Sequence, residues 1–176
     1  MKKWMAIGLV GLSALSNVSQ ASEQNNLYLG ASAIFLDNYT ESQAYKFHGG
    51  YSFNEHFAIE ASYLDFGEET YGSPVGRDAW SANAKGLELI AKYPLGDFAV
   101  YGKLGYLWWS EDLDYYELYD DVISERQREY TGSDVTYGFG ASYMFFQRVS
   151  IRAEYQGISI NGKDDHPVSL GFDVHF

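Results

Sequence analysis

The 176-residue sequence contains no cysteine, which excludes a disulfide framework, thiolate-held zinc and a cysteine nucleophile. Proline is nearly absent, with three residues against 18 glycines and 16 tyrosines, a balance that suits many short strands and tight turns better than helices. Basic residues are scarce as well. Twelve Lys and Arg face 24 Asp and Glu, a formal charge of −12, so the chain lacks the electrostatic footing for a nucleic-acid backbone. Nucleic acid is not an expected partner. After the N-terminal segment there is no apolar run near the roughly 20 residues that a membrane-crossing helix requires. If the mature chain lies in a membrane, it must do so as a closed barrel.

The first residues read as an export signal. Lys2 and Lys3 precede an apolar stretch from Trp4 to Leu15, and Ser19-Gln20-Ala21 puts small residues where a signal peptidase reads. Residues 1–21 are therefore expected to be cleaved after Ala21, leaving residues 22–176 as one domain. A membrane anchor is the competing account, but the stretch is too short to span. Cleavage removes two cations and no acid, which takes the net charge from −12 to −14.

What the chain has in abundance is period-two alternation, the mark of a half-buried strand. Leu27, Leu29, Ala31, Ala33 and Phe35 share one side, and Gly30 and Ser32 the other. Tyr45, Phe47, Tyr51 and Phe53 oppose Lys46, His48, Gly50 and Ser52; Ile59, Ala61 and Tyr63 oppose Glu60 and Ser62. The same grammar recurs around Leu87–Tyr93, Leu104–Trp108, Val135–Phe145, Val149–Tyr155 and Leu170–Phe176, giving eight segments.

The connections separate a membrane barrel from a soluble sandwich or lipocalin-like barrel. Short links at Asn54–His56, Leu95–Asp97 and Phe146–Arg148 alternate with long polar ones at Asp37–Gln43, Gly67–Ser81, Ser110–Thr131 and Gly157–His166. Short turns on one rim and long loops on the other are the outer-membrane arrangement. Phe53, Phe57, Tyr93, Phe98, Phe145, Phe146 and Phe176 fall beside the short turns, where an interfacial aromatic girdle lies. The tyrosine-rich rows are then expected to face lipid. The charges Lys46, Lys92, Lys103, Arg152, Glu60, Glu88, Glu154 and Asp173 are expected to face the lumen. Eight strands enclose just enough space for side chains, so these groups are expected to pair and plug the barrel; a narrow gated ion path is the alternative.

Several stretches carry a family resemblance. FHGGYSFNEHFAIEASYLDF (47–66), GLELIAKYPLGDFAVYGKLGYLWW (86–109), RVSIRAEYQG (148–157) and VSLGFDVHF (168–176) resemble strands of the transmembrane domain of the outer membrane protein A (OmpA) family. The resemblance implies an inward Glu, Lys and Arg forming a switching ion-pair gate, matched here by Glu60, Lys92 and Arg152, with Lys103 a further inward base. Ser142 stands where the family places another carboxylate, and Glu88 supplies an acid near Lys92. The family's periplasmic peptidoglycan-binding domain is expected to be lacking. The final row Phe172, Val174 and Phe176 resembles the signal read by the barrel assembly machinery.

The loop Ser110–Thr131 combines Glu111, Asp112, Asp114, Glu117, Asp120 and Asp121 with Tyr115, Tyr116 and Tyr119. Like-charge runs are usually solvated faces; the sharper account is a cation-collecting, amphipathic contact surface for a host or phage protein. No nucleophile elbow, His-Glu-x-x-His or phosphate loop is present, and a histidine acting with Ser62, Ser142 or Ser169 is the residual catalytic possibility. The sequence thus predicts an all-β, eight-stranded antiparallel up-and-down transmembrane barrel in a Gram-negative outer membrane. Its expected role is structural or in surface interaction, without catalysis, cofactor or metal. Its expected partners are outer membrane lipid, lipopolysaccharide and the assembly machinery. A narrow pore, an adhesin and, last, a lipid A-modifying enzyme are the alternatives.

Overall fold

A computed structural model describes residues 26–35, 44–73, 76–119 and 122–176, with backbone only for 69–73, 76–78, 116–119 and 122–126. The expected signal peptide and the Asp37–Gln43 link lie outside the described residues. Nine strands follow in order: β1 Leu27–Phe35, β2 Ala44–Ser52, β3 Phe57–Ser73, β4 Gly76–Leu95, β5 Phe98–Tyr119, β6 Val122–Phe146, β7 Val149–Ile160, β8 Lys163–Asp165 and β9 Val168–His175. Each of β1 to β7 pairs antiparallel with the next, β7 also pairs with β9, and β9 returns to β1, with Ala31 opposite Phe172. Eight strands therefore close an up-and-down barrel with no free edge around its wall. The three-residue β8 pairs with the end of β7 alone.

Alternation sorts side chains by face. Leu29, Phe47, Leu89, Leu104, Phe139, Leu170 and Phe172 are exposed, while Lys46, Glu60, Glu88, Lys103, Arg152 and Glu154 are buried. Leu89 keeps 63% of its surface open and Glu60 none. This inversion of a water-soluble fold is stable only where hydrocarbon is the outer solvent.

The short turns are locally encoded. The Asn54 side-chain oxygen accepts the N–H groups of His56 and Phe57, both at 2.8 Å, an Asx turn. Gly96 takes φ +74° between β4 and β5. On the opposite rim the structure corrects three of the expected loops. Gly67–Ser81, Ser110–Thr131 and Gly157–His166 are largely strand, the second laddered from Ser110 opposite Thr131 to Tyr119 opposite Val122. Beyond the apolar belt a ladder needs no apolar row, so polar hairpins escape a reading based on hydrophobic alternation. The third hairpin turns at Asn161 and Gly162, with φ 52° and 74°, the Asn-Gly signature of a type I′ turn.

The lumen is layered, with apolar clusters on either side of the charged groups. Near the short turns Tyr28, Ala58, Ile90 and Tyr101 form a small apolar cluster. Toward the hairpins Leu64, Phe66, Ala84, Leu107, Trp109 and Ile158 belong to a larger one, with Trp80 and Ile160 packed against it. The charged layer lies between the two.

Candidate functional site

Glu154, on β7, is the hub of the charged layer. Its Oε1 lies 2.8 Å from Lys46 Nζ and 2.7 Å from Lys103 Nζ. Its Oε2 accepts the Tyr101 hydroxyl at 3.1 Å, with Arg152 Nη1 at 4.0 Å. Arg152 binds Glu60 Oε2 through Nη1 at 2.8 Å and stands 3.2 Å from Asp173 Oδ2 through Nε. Tyr28 donates to the same Glu60 oxygen at 2.9 Å, and Lys46 reaches the other at 3.5 Å. Lys103 is 3.0 Å from Glu88 Oε1, which also accepts Gln156 Nε2 at 3.0 Å. His48 Nε2 meets Asp173 Oδ1 at 2.6 Å. Three long cations and one imidazole thus face four carboxylates from β2, β3, β4, β5, β7 and β9. Charges removed from water are tolerated when they are paired in this way.

Small residues make room for the long ones. A Cβ added at Gly140 would come within 2.5 Å of the Tyr101 ring and 2.6 Å of the Ala153 carbonyl oxygen, and one at Gly50 would collide with the Tyr28 ring. The network is therefore fitted sterically as well as electrically.

Of the residues expected to form the lumen group, Glu60, Glu88, Lys103, Arg152 and Glu154 come together. Lys92 does not. Its Nζ donates to Ser52 Oγ at 3.2 Å and sits 4.9 Å from the Tyr28 ring centroid, and among the described residues no carboxylate forms an ion pair with it. It enters the lumen one layer nearer the short turns, above the Tyr28 ring rather than beside an acid. The place the charge count gave it beside the acids is taken by His48. Ser142 lines, with Lys92, a cavity at the short-turn mouth of the barrel, and makes no ion-layer contact among the described residues. Tyr28, Tyr101, Thr136 and Gln156 belong to the network and had not been singled out, although their position on the inward parity of β1, β5, β6 and β7 was the available signal.

Glu111 was expected on a solvated loop, yet it is 5% exposed. Its two oxygens accept Trp80 Nε1 at 2.6 Å and Asn161 Nδ2 at 2.9 Å, tying the hairpins of β4, β5 and β7 over the apolar cluster. Asp112, Asp114 and Tyr115 are partly exposed, and Arg128 lies 5.4 Å from the Tyr115 ring. The side chains of Tyr116, Glu117 and Tyr119, and all of Asp120 and Asp121, lie outside the described residues. In the final row Phe172 is exposed, Val174 and Phe176 half-buried, and β9 is held by β1 on one side and β7 on the other. The serine that meets a histidine is Ser150, 3.0 Å from His175 Nε2, rather than Ser62, Ser142 or Ser169. Asp173 accepts from Ser150 at 3.3 Å and faces His48, not His175, so the three groups are not ordered as a serine–histidine–carboxylate relay.

Comparison with known proteins agrees with this architecture. A family model described as the outer membrane protein beta-barrel domain matches residues 5–176. Outer membrane protein P5 of Haemophilus influenzae is 28% identical over 187 residues, covering 93% of this chain and 53% of P5, so the chain spans about half the length of that relative. The N-terminal barrel domain of Pseudomonas aeruginosa OprF is similar at a TM-score of 0.55 and 17% identity, over 87% of this chain and 98% of that one. The attachment invasion locus protein Ail of Yersinia pestis, solved with the heparin analogue sucrose octasulfate, is similar at a TM-score of 0.57 and 14% identity, over 86% and 97%. At these identities the two solved structures speak for the fold alone. With a closed eight-stranded wall, an apolar exterior and a family model covering nearly the whole sequence, the chain belongs to the outer membrane protein beta-barrel family, as an OmpA-like small barrel of the outer membrane.

Proposed function

We propose that the protein serves the envelope as a closed, non-conducting barrel, seated among outer membrane lipid and lipopolysaccharide, with no catalytic step. The observation that carries this reading is the filled lumen: an ionic layer held by contacts of 2.6–3.5 Å between two apolar clusters. A conducting path would have to break several buried ion pairs at once, and each costs several kcal/mol to open. Planar-bilayer recordings on the refolded protein are expected to show at most small, intermittent conductance. Steady currents of porin size would refute the closed lumen and favour the pore.

A second reading is favoured by the hairpin of β5 and β6, whose ladder continues to Tyr119 opposite Val122, beyond where β4 and β7 accompany it. It offers Asp112, Asp114 and Glu129 with tyrosines to a contact surface. Ail binds a polysulfated ligand in the solved complex. An acidic hairpin repels such a ligand, so an adhesive role here calls for a basic protein surface of host or phage. Exchange of residues 112–129 for a neutral hairpin is then expected to abolish cell or phage attachment, and attachment unchanged by the exchange dismisses the adhesin.

In the same proposal, Phe172, Val174 and Phe176 are the row read by the assembly machinery. Deletion of Phe176 is expected to slow assembly, seen as a lower fraction of heat-modifiable barrel in the membrane; an undiminished fraction argues for a lipid-facing role alone.

A further inference from the structure

The chamber at the short-turn mouth of the barrel is not used by the closed-lumen account. It is a cavity of about 160 Å³ lined by Lys92, Ser142, Ser150, Arg152, Asp173 and His175, above the rings of Tyr28 and Tyr101. We propose that this chamber is a binding site for a small oxyanion, a phosphate or carboxylate group arriving from the periplasmic side, with Lys92 as its cation.

Three observations support the assignment. An ammonium group has three donors; Ser52 accepts from Lys92, a bond of 3.2 Å, and the Tyr28 face lies beneath it. Remaining donors point into a chamber where no described carboxylate pairs with them. Asp173, the buried acid on the wall, is already engaged on both oxygens: His48 at 2.6 Å on one, Arg152 Nε at 3.2 Å and Ser150 at 3.3 Å on the other. Asp97 also lines the cavity, but from the exposed turn at its rim. Finally, the Ser142 hydroxyl on the wall is a neutral donor able to join Lys92 in the shell of an anion, while Ser150, which donates to Asp173, and His175, 3.0 Å from Ser150 Oγ, close the wall beside it. A charge-assisted hydrogen bond is roughly twice as strong as a neutral one, and a chamber partly shielded from water strengthens it further.

The test uses the folded chain in phosphatidylcholine nanodiscs, isotope-labelled and titrated with inorganic phosphate at constant ionic strength set by chloride. Saturable NMR shifts are expected at Lys92, Ser142, Ser150 and His175, and not in the apolar cluster around Leu107. Lys92→Met should weaken the apparent affinity at least tenfold, and Lys92→Arg should largely restore it. Native-like mobility of the unboiled variants establishes that each is folded. A second arm replaces part of the phosphatidylcholine with phosphatidylglycerol and omits phosphate; chamber shifts that vanish in Lys92→Met support the site and name a lipid headgroup as its source. Absence of saturable shifts in both arms, or shifts of equal size in Lys92→Met, would overturn the proposal. Chloride alone producing the full response would overturn it too, since a simple halide needs no oxyanion shell.

Discussion

Replacing Glu154 by glutamine is expected to destabilise the barrel by about 3–5 kcal/mol, the usual cost of breaking a buried ion pair from one side. Glutamine keeps the volume and one acceptor, so the packing around Tyr101 survives and the loss is electrostatic. Lys46 and Lys103, both fully buried, are left to Glu60 at 3.5 Å and Glu88 at 3.0 Å, which places the effect toward the lower end of that range. Urea titration in lipid vesicles, followed by the loss of the heat-resistant fast-migrating form, reads the difference. Adding Lys46→Met to Glu154→Gln should cost less than it does in the parent, because the charge it removes has already lost its closest partner. A Glu154→Gln shift below about 0.5 kcal/mol, the scale of an ordinary surface change, would mean that the network does not form as described.

The second large effect lies on the opposite face. Leu89 is on β4, six residues from its short-turn end at Leu95, opposite Ile59 and Leu104 on its two neighbours, and it is 63% exposed. In a protein surrounded by water, Leu89→Arg at so open a position would change stability by no more than about 0.5 kcal/mol. In a bilayer the same change puts a guanidinium near the hydrocarbon midplane and is expected to cost about 2–4 kcal/mol. Asn83→Arg, six residues along the same outward row toward the hairpin rim, is the control, with an expected cost of about 0–1 kcal/mol where the charge reaches the interface. Equal effects at the two positions would contradict the depth assigned to Leu89.

How much of this was legible in the sequence follows from how each feature is encoded. The eight wall strands were, because rows such as Val135 to Tyr143 alternate without a break and only the register sets the face. The ionic layer was legible as a set of inward residues but not as a wiring diagram. Parity places Lys92 and Lys46 on the same side of the wall, while the shear of the barrel decides which of them reaches Glu154. The apolar clusters were hidden, since Leu64 with Phe66 and Leu107 with Trp109 continue inward rows whose earlier members, Glu60 and Ser62 or Lys103 and Gly105, read as polar. The polar hairpins were hidden too, because backbone pairing above the belt leaves no hydrophobic period to detect. Asn161-Gly162 carries a turn signal for the third hairpin, which the reading of Gly157–His166 as a long loop passed over. Glu111 illustrates the remaining gap: nothing in a run of acids shows that one of them folds inward onto Trp80 and Asn161.

The central claim is that the exposed aliphatic and aromatic rows touch hydrocarbon while the inward apolar residues are shut away from it inside the barrel. Methyl-resolved NMR of the natural sequence in nanodiscs tests it without any substitution, by nuclear Overhauser transfer from lipid acyl chains. The account predicts transfer to the methyls of Leu29, Leu87, Leu89, Leu104 and Leu170, all exposed, and none to Leu64, Leu107, Ile90 or Ile158, all buried. Acyl-chain contacts at Leu64 and Leu107 with water contacts at Leu89 and Leu104 would contradict it.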